Sequence, residues 1–335
     1  MIPDLPIDQP VPLPKCGTWP TSVHLFDQTS ADAILAALAA ERPLLVQGEP
    51  GAGKSQLARA AAVTLNRAFV SQVVHARSEA QDLQWEYDAV SRLGEAQVLG
   101  SLRSERSHRS NLTPQQRLAP RRFLCPGPLW WAFGWDSARE HNDDRRTVRR
   151  VPEPWHPEPH WQPRDGAVLL IDEIDKAEAD LPNSLLETLG NGGFPVPWLD
   201  TPVCIPAGTA APLVIITTNQ ERELPRAFLR RCLVLTLDLK EGDDLKALLV
   251  ARGRQHFTVG SQQCVHDDIL ELVAAQLITD RNDAKDKGFP VPGQAEYLDL
   301  LRALDHARGG DPAAQKKLFH RIKNFALKKC QESAG

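Results

Sequence analysis

The sequence predicts an α/β domain built on a parallel sheet and followed by a small all-α domain. Three observations carry this reading. Short apolar runs of strand length alternate with stretches of helical periodicity over most of the chain, a glycine-rich loop joins one such run to the next helix, and from Glu241 onward only helical stretches recur. Strand–helix alternation is the pattern of a parallel sheet with crossover helices, and helices alone pack on one another. The expected boundaries are a proline-rich segment over 1–24, an α/β core over 25–238 with an insertion at about 100–165, and a helical domain over 239–335.

The first stretch, "MIPDLPIDQPVPLPKCGTWP", is rich in proline and reads as an extended lead-in rather than a core element. "SADAILAALAAERP" has Ala and Leu at helical spacing, with Ser30 as a plausible N-cap. "PLLVQG" is a buried-strand run that stops at Gly48, "KSQLARAAAVTL" a helix and "AFVSQVV" the next strand. Regularity is then lost between about Gly100 and Asp165, a segment rich in Arg and Pro that holds Trp130, Trp131, Trp135, Trp155 and Trp161, five of the chain's eight tryptophans. It returns with the strand "AVLLIDE", the helix "ADLPNSLLETLG", the strand "PLVIITTN", the short helix "LPRAFLRRC" and the strand "LVLTLDL". Four helical stretches close the chain: "DDLKALLVARG", "HDDILELVAAQLI", "GQAEYLDLLRALDHA" and "PAAQKKLFHRIKNFALKKC", with no convincing strand among them.

Composition narrows the function classes. The 335 residues suit one large domain and a smaller one. A net charge of -4 gives no global signature of nucleic-acid binding. The six cysteines lie far apart and form no C-x-x-C pair, which argues against a zinc site, a redox motif or a disulfide framework. The N-terminus lacks a basic and apolar leader, and no apolar run approaches the ~18 residues of a membrane span. A cytoplasmic protein is expected. His108, His141, His156 and His160 fit no metal-ligand spacing and read as surface residues.

The segment "GEPGAGKS", Gly48 to Ser55, matches G-x-x-x-x-G-K-[ST] in full and lies between a strand and a helix. Glycines let backbone N–H groups turn inward on a phosphate chain, and the helix N-terminus adds partial positive charge. Gly48, Glu49, Pro50, Gly51, Ala52, Gly53, Lys54, Ser55 and Gln56 are the candidate phosphate-loop residues. Lys54 is suited to the β- and γ-phosphates and the Ser55 hydroxyl to Mg²⁺. In "AVLLIDEIDKA" a strand delivers Asp172 to the carboxyl edge of the sheet, where a carboxylate can hold the Mg²⁺ shell, and Glu173 beside it can activate water. Asn219, ending "VIITTN", can bond that water or the γ-phosphate, or be an ordinary turn asparagine. Arg230 and Arg231 can stabilise phosphoryl charge, or simply complement a helix dipole.

In order and spacing, "GEPGAGKS", "LLIDEIDKA", "VIITTN" and "LPRAFLRRC" resemble the AAA+ ATPases over residues 25–310. "HARSEAQDLQWEYDAVSRLGEAQ" and "PGPLWWAF" resemble the helix-2 insert of the MoxR-like branch. The resemblance implies a P-loop NTPase core, an αβα layering on a parallel sheet, followed by a small all-α lid domain. It further implies ATP and Mg²⁺, and a homo-oligomeric ring, commonly a hexamer. Lys54, Ser55, Asp172, Glu173 and Asn219 would act in cis, and Arg231, with Arg230 as second candidate, on the neighbour's nucleotide. In one respect the chain departs from the family. Where a lid arginine is usual, it carries Glu296 and Tyr297, and Arg302 comes more than a turn later. The branch implies remodelling of a separate protein partner, often one with a von Willebrand factor A domain. The alternatives are a nucleic-acid motor, in which the Arg- and Trp-rich insertion grips a strand, and a signalling switch. The insertion itself reads as a packed structural element, a protein interface or a nucleic-acid surface.

Overall fold

The computed structural model describes residues 4–101, 112–239, 241–259 and 262–327. His108, Cys330 and the middle of the basic stretch after Gly100 lie outside the described residues.

The strands of the N-terminal ribbon are β1 (Pro10–Leu13) and β2 (Ser22–Leu25), and those of the main sheet are β3 (Leu44–Gly48), β4 (Ala68–Val73), β5 (Ala167–Asp172), β6 (Leu213–Thr218) and β7 (Leu233–Leu237). The longer helices are α1 (Gln28–Ala40), α2 (Lys54–Thr64), α3 (Pro128–Phe133), α4 (Trp135–Asp143), α5 (Asp180–Asn191), α6 (Arg226–Arg231), α7 (Gly242–His256), α8 (Asp267–Lys287), α9 (Gln294–Arg308) and α10 (Pro312–Leu327). Five strands form a parallel sheet flanked by helices, in the order β7-β3-β6-β5-β4. β5 is central to its half of that sheet, with Asp172 in register with Val73 of β4 and Ile171 with Ile216 of β6. Its first five residues are buried, which is why the run reads as uninterrupted hydrophobics rather than as alternation.

The chain divides into two compact units. The first contains Asp32–Leu45 and Ala61–Val234. Its core joins Leu169 and Ile171 of β5 and Ile216 of β6 to Trp130, Trp131, Trp135 and Trp161. The insertion is therefore packed structure, and its loss of periodicity has a physical cause. Its helices are short, one opened by Pro128 and the next by Trp135, and held by aromatic burial instead of a long apolar stripe. Trp131 and Trp135 meet edge to face at 5.1 Å, as do Trp135 and Trp161 at 4.7 Å. His141 is likewise buried, its Nε2 3.1 Å from the Leu124 carbonyl, and not a surface residue as its sequence context suggests. Burial lowers its pKa below the ordinary histidine value.

The second unit contains Asp4–Ala31, Val46–Ala60 and the chain from Leu235 onward. Its helices α7 to α10 enclose a core that includes Leu249, Leu270, Leu277, Tyr297, Leu301 and Phe319. A short strand pair, Thr258–Val259 with Gln262–Gln263, interrupts the helices where none was expected. The proline-rich opening is not a free lead-in. β1 pairs antiparallel with β2, and its "PVPL" alternates exposed prolines with buried Val11 and Leu13. Proline is tolerated there because a two-stranded ribbon has an open edge on each strand. Arg59 fixes the segment further, donating to the carbonyls of Pro14 at 2.7 Å and Pro20 at 3.0 Å. The cap of α1 is Asp27 rather than Ser30. The Asp27 carboxylate accepts from Ser30 N at 2.7 Å, and Ser30 is already inside the helix.

Candidate functional site

The phosphate-type loop belongs to the second unit and begins where β3 ends. Gly48 has φ +150°, and a Cβ there would lie 2.4 Å from the Leu237 carbonyl oxygen, so only glycine fits. Gly51 and Gly53 also take positive φ, +78° and +96°, and a Cβ on Gly53 would meet nothing within 4 Å. The loop thus turns sharply and leaves open space beside Gly53 as the chain enters α2. Lys54 opens that helix, is 6% exposed, and donates from Nζ to the carbonyls of Gly48 at 2.8 Å and Glu49 at 2.9 Å. Its ammonium is folded onto the loop instead of extending into solvent. The first turn of α2 has no acidic residue, so nothing there offsets the positive end of the helix. Ser55 follows in the same turn. The Gln56 side chain is engaged elsewhere, its Oε1 accepting from Arg59 Nη1 at 3.0 Å, so only its backbone is left to the loop's chemistry. This is a cradle with the shape and charge for a chain of phosphates, and the residues present fit such a ligand.

The helical part of the same unit borders the loop. A Cβ on Gly51 would stand 3.3 Å from Ala295 Cβ, and one on Gly293 2.9 Å from the Pro50 carbonyl. Glu296 does not face outward as a free acid, because its Oε2 accepts from Gly293 N at 2.8 Å and closes the first turn of α9. Tyr297 is fully buried and Arg302 pairs with Asp299 at 2.6 Å on an exposed face. A cation of the helical part that reaches the loop is one the sequence did not flag. Arg281 of α8, 4% exposed, donates to Glu49 Oε2 at 2.7 Å.

The carboxylate group belongs to the first unit. Asp172 ends β5, and Glu173 leaves the strand in the left-handed region at φ 60° and ψ 49°. That turn is unusual for a glutamate and is held by neighbours. Thr217, fully buried on β6, donates to Asp172 Oδ1 at 2.5 Å and accepts from Glu173 N at 2.9 Å. Asn219 Nδ2 donates to Glu173 Oε1 at 3.3 Å, and Lys176 Nζ to Glu173 Oε2 at 2.5 Å. The hydrogen bond to Glu173 raises the pKa of Lys176 above the ordinary lysine value. Asp175, 2% exposed, accepts from the backbone N–H groups of Asn219 at 3.4 Å and Glu221 at 2.9 Å and so shapes the turn that presents Asn219. The structure brings together the three residues expected on this edge, Asp172, Glu173 and Asn219. It adds Thr217, Asp175 and Lys176, whose only sequence signal was their closeness to the motifs.

Arg230 and Arg231 close α6, which buried Phe228 anchors. Both are exposed, and neither side chain bonds a described residue. Their backbone is fixed from behind by Arg42, which donates to the carbonyls of Arg230 at 2.5 Å, Arg231 at 3.1 Å and Cys232 at 3.3 Å. Several arginines of the insertion differ from these two. Arg117 pairs with Glu95, Arg139 with Glu153 and Arg149 with Glu86, while Arg122 donates to a backbone carbonyl. Among the described residues no cluster of three or more His, Cys, Asp or Glu forms a metal site, and no helix is long and apolar enough to cross a membrane.

A family model described as AAA domain, dynein-related subfamily, matches residues 43–232, more than half of the chain. No protein with a curated description matches it.

Proposed function

The chain belongs to the AAA domain family, dynein-related subfamily, and from that premise we propose that it hydrolyses ATP within a ring of identical subunits to remodel a separate protein partner. The observation that carries the hydrolytic reading is the state of Glu173. It sits one residue beyond Asp172, in a left-handed turn, with its carboxylate held by Asn219 and Lys176. A carboxylate so placed can take a proton from water once it is released from Lys176.

In this proposal the N–H groups from Gly48 to Gly53 and the start of α2 bind the phosphates, and Lys54 moves from the loop carbonyls to the β- and γ-phosphate oxygens. Ser55 and Asp172 would hold Mg²⁺, which when bound neutralises phosphate charge. Thr217 keeps Asp172 oriented, Asn219 positions water beside Glu173, and Arg231, with Arg230 next to it, serves a neighbouring subunit's nucleotide. A protein partner is favoured over nucleic acid because Trp130, Trp131, Trp135 and Trp161 of the insertion are core residues and its Arg117, Arg139 and Arg149 are paired with carboxylates. A MoxR-like partnership, with a von Willebrand factor A-domain protein, is the specific form proposed.

Lys54→Ala is expected to abolish nucleotide binding, and Glu173→Gln to keep ATP bound while hydrolysis falls about 10²-fold or more. Both are read by labelled-nucleotide binding and phosphate release. Hydrolysis by Glu173→Gln at the wild-type rate would remove Glu173 as the base. The ATP-loaded Glu173→Gln protein, captured from its native lysate with and without nuclease, then separates the partner classes. Recovery of a nuclease-resistant protein supports remodelling, and nuclease-sensitive nucleic acid opposes it.

A further inference from the structure

We propose that Arg281 is a positioning residue for the phosphate loop, acting through Glu49. The inference rests on the ATP reading above. Arg281 lies on α8, in the same compact unit as the loop, and is 4% exposed. One guanidinium nitrogen donates to Glu49 Oε2 at 2.7 Å, the other to the Pro292 carbonyl at 2.5 Å. A buried guanidinium needs a counter-charge, and its ion pair is with Glu49, the second residue of the motif. The planar fork fixes both acceptors at once, a geometry that a lysine does not reproduce.

The second acceptor gives the contact its reach. Pro292 immediately precedes Gly293, whose Cα packs beside Pro50, and Ala295 packs beside Gly51. Arg281 therefore joins Glu49 to the segment that also supports Pro50 and Gly51. A loop with three glycines, all at positive φ, loses much conformational freedom on taking one shape. Fixing it beforehand moves that cost out of the binding step. Arg281 touches no reacting atom, so its effect belongs to nucleotide affinity and not to the chemical step. By reciprocity, a ligand that orders the loop must favour the α8–α9 arrangement to the same degree.

The test uses the full chain and four proteins: wild type, Arg281→Ala, Glu49→Gln and the double variant. ATP affinity, KM, kcat and melting without nucleotide are measured for each. Arg281→Ala is expected to raise the dissociation constant and KM about tenfold, with kcat at saturation changed less than about threefold. Because Arg281 acts through Glu49, the double variant is expected to bind no more weakly than Arg281→Ala alone. A lower melting temperature with affinity unchanged would make the pair a structural bridge and overturn the proposal, as would strictly additive losses. Should Arg281→Ala not fold, Arg281→Lys, which keeps the charge and loses the fork, replaces it, and unchanged affinity in it and in Glu49→Gln overturns the proposal equally. Absence of ATP binding in the wild type would instead sink the ATP reading itself.

Discussion

Thr217 shows how much of the candidate site depends on one hydroxyl. Its Oγ1 donates to the Asp172 carboxylate and accepts the N–H of Glu173, so one buried atom sets both acids. The register explains the placement: Ile216 faces Ile171, and the next pair along the strands is Thr217 beside Asp172. Thr217→Val keeps the side chain's shape and removes both bonds, leaving a buried N–H and a carboxylate oxygen without that partner. The cost is about 1–3 kcal/mol of stability, and ATP hydrolysis is expected to fall about tenfold or more, as for other groups that orient ligands. Thermal melting and phosphate release check the two effects. Wild-type turnover would show that Thr217 does not position the acids. In the sequence Thr217 is one more β-branched residue in "VIITTN", and its role emerges only from the pairing of two strands distant in the chain. Arg281 and Glu49 are hidden for the same reason, since no local spacing connects residues 232 positions apart. Gly48, Lys54 and Asp172 are legible because their chemistry is local: a turn, a helix start and a strand end.

At the scale of elements, β2 and α7 of the second unit carry two histidines that the fold keeps neutral. Burial, with Arg252 nearby, lowers the pKa of His24 to about 3 despite the opposing charge of Asp27. Burial also lowers His256 to about 4, with Arg302 and Arg252 adding to it and a hydrogen bond to the Val23 carbonyl opposing it. In the unfolded chain both titrate near the ordinary value of about 6.5. Above that pH neither state binds the proton and stability is unaffected. As pH falls below it, the unfolded chain takes up protons that the folded one refuses, and each histidine removes about 1.4 kcal/mol per pH unit. The loss continues down to about 4 for His256 and about 3 for His24. Denaturant unfolding between pH 7 and pH 4.5 is expected to show this decline, with a shallower slope in His256→Gln. An identical slope would mean that His256 is not buried as a neutral group. The strands and long helices were legible as periodicity, and the alternation in "PVPL" was present but masked by its prolines. The insertion was opaque because its burial comes from aromatic clusters on short helices, which leave no period to count.

For the whole molecule, the exposed pair at the end of α6 bears on the proposed sharing of a site between subunits. Arg42 holds the backbone of Arg230 and Arg231 through three carbonyls, while both guanidinium groups stay without a described partner. A rigidly mounted cation with no partner of its own suits a target on another copy of the chain, where transition-state charge would engage it. Such arginines contribute about 10³–10⁵ in rate. Arg231→Ala should therefore bind ATP normally and hydrolyse it poorly, whereas Lys54→Ala should not bind it and yet keep its arginine. If each site takes its loop from one subunit and its arginine from the next, mixing the two inactive variants pairs an intact loop with an intact arginine at some interfaces. Co-expressed Lys54→Ala and Arg231→Ala should then recover part of the wild-type hydrolysis. No recovery from assemblies shown to contain both variants would place Arg231 outside the neighbour's site and leave its exposure to helix-dipole complementation alone.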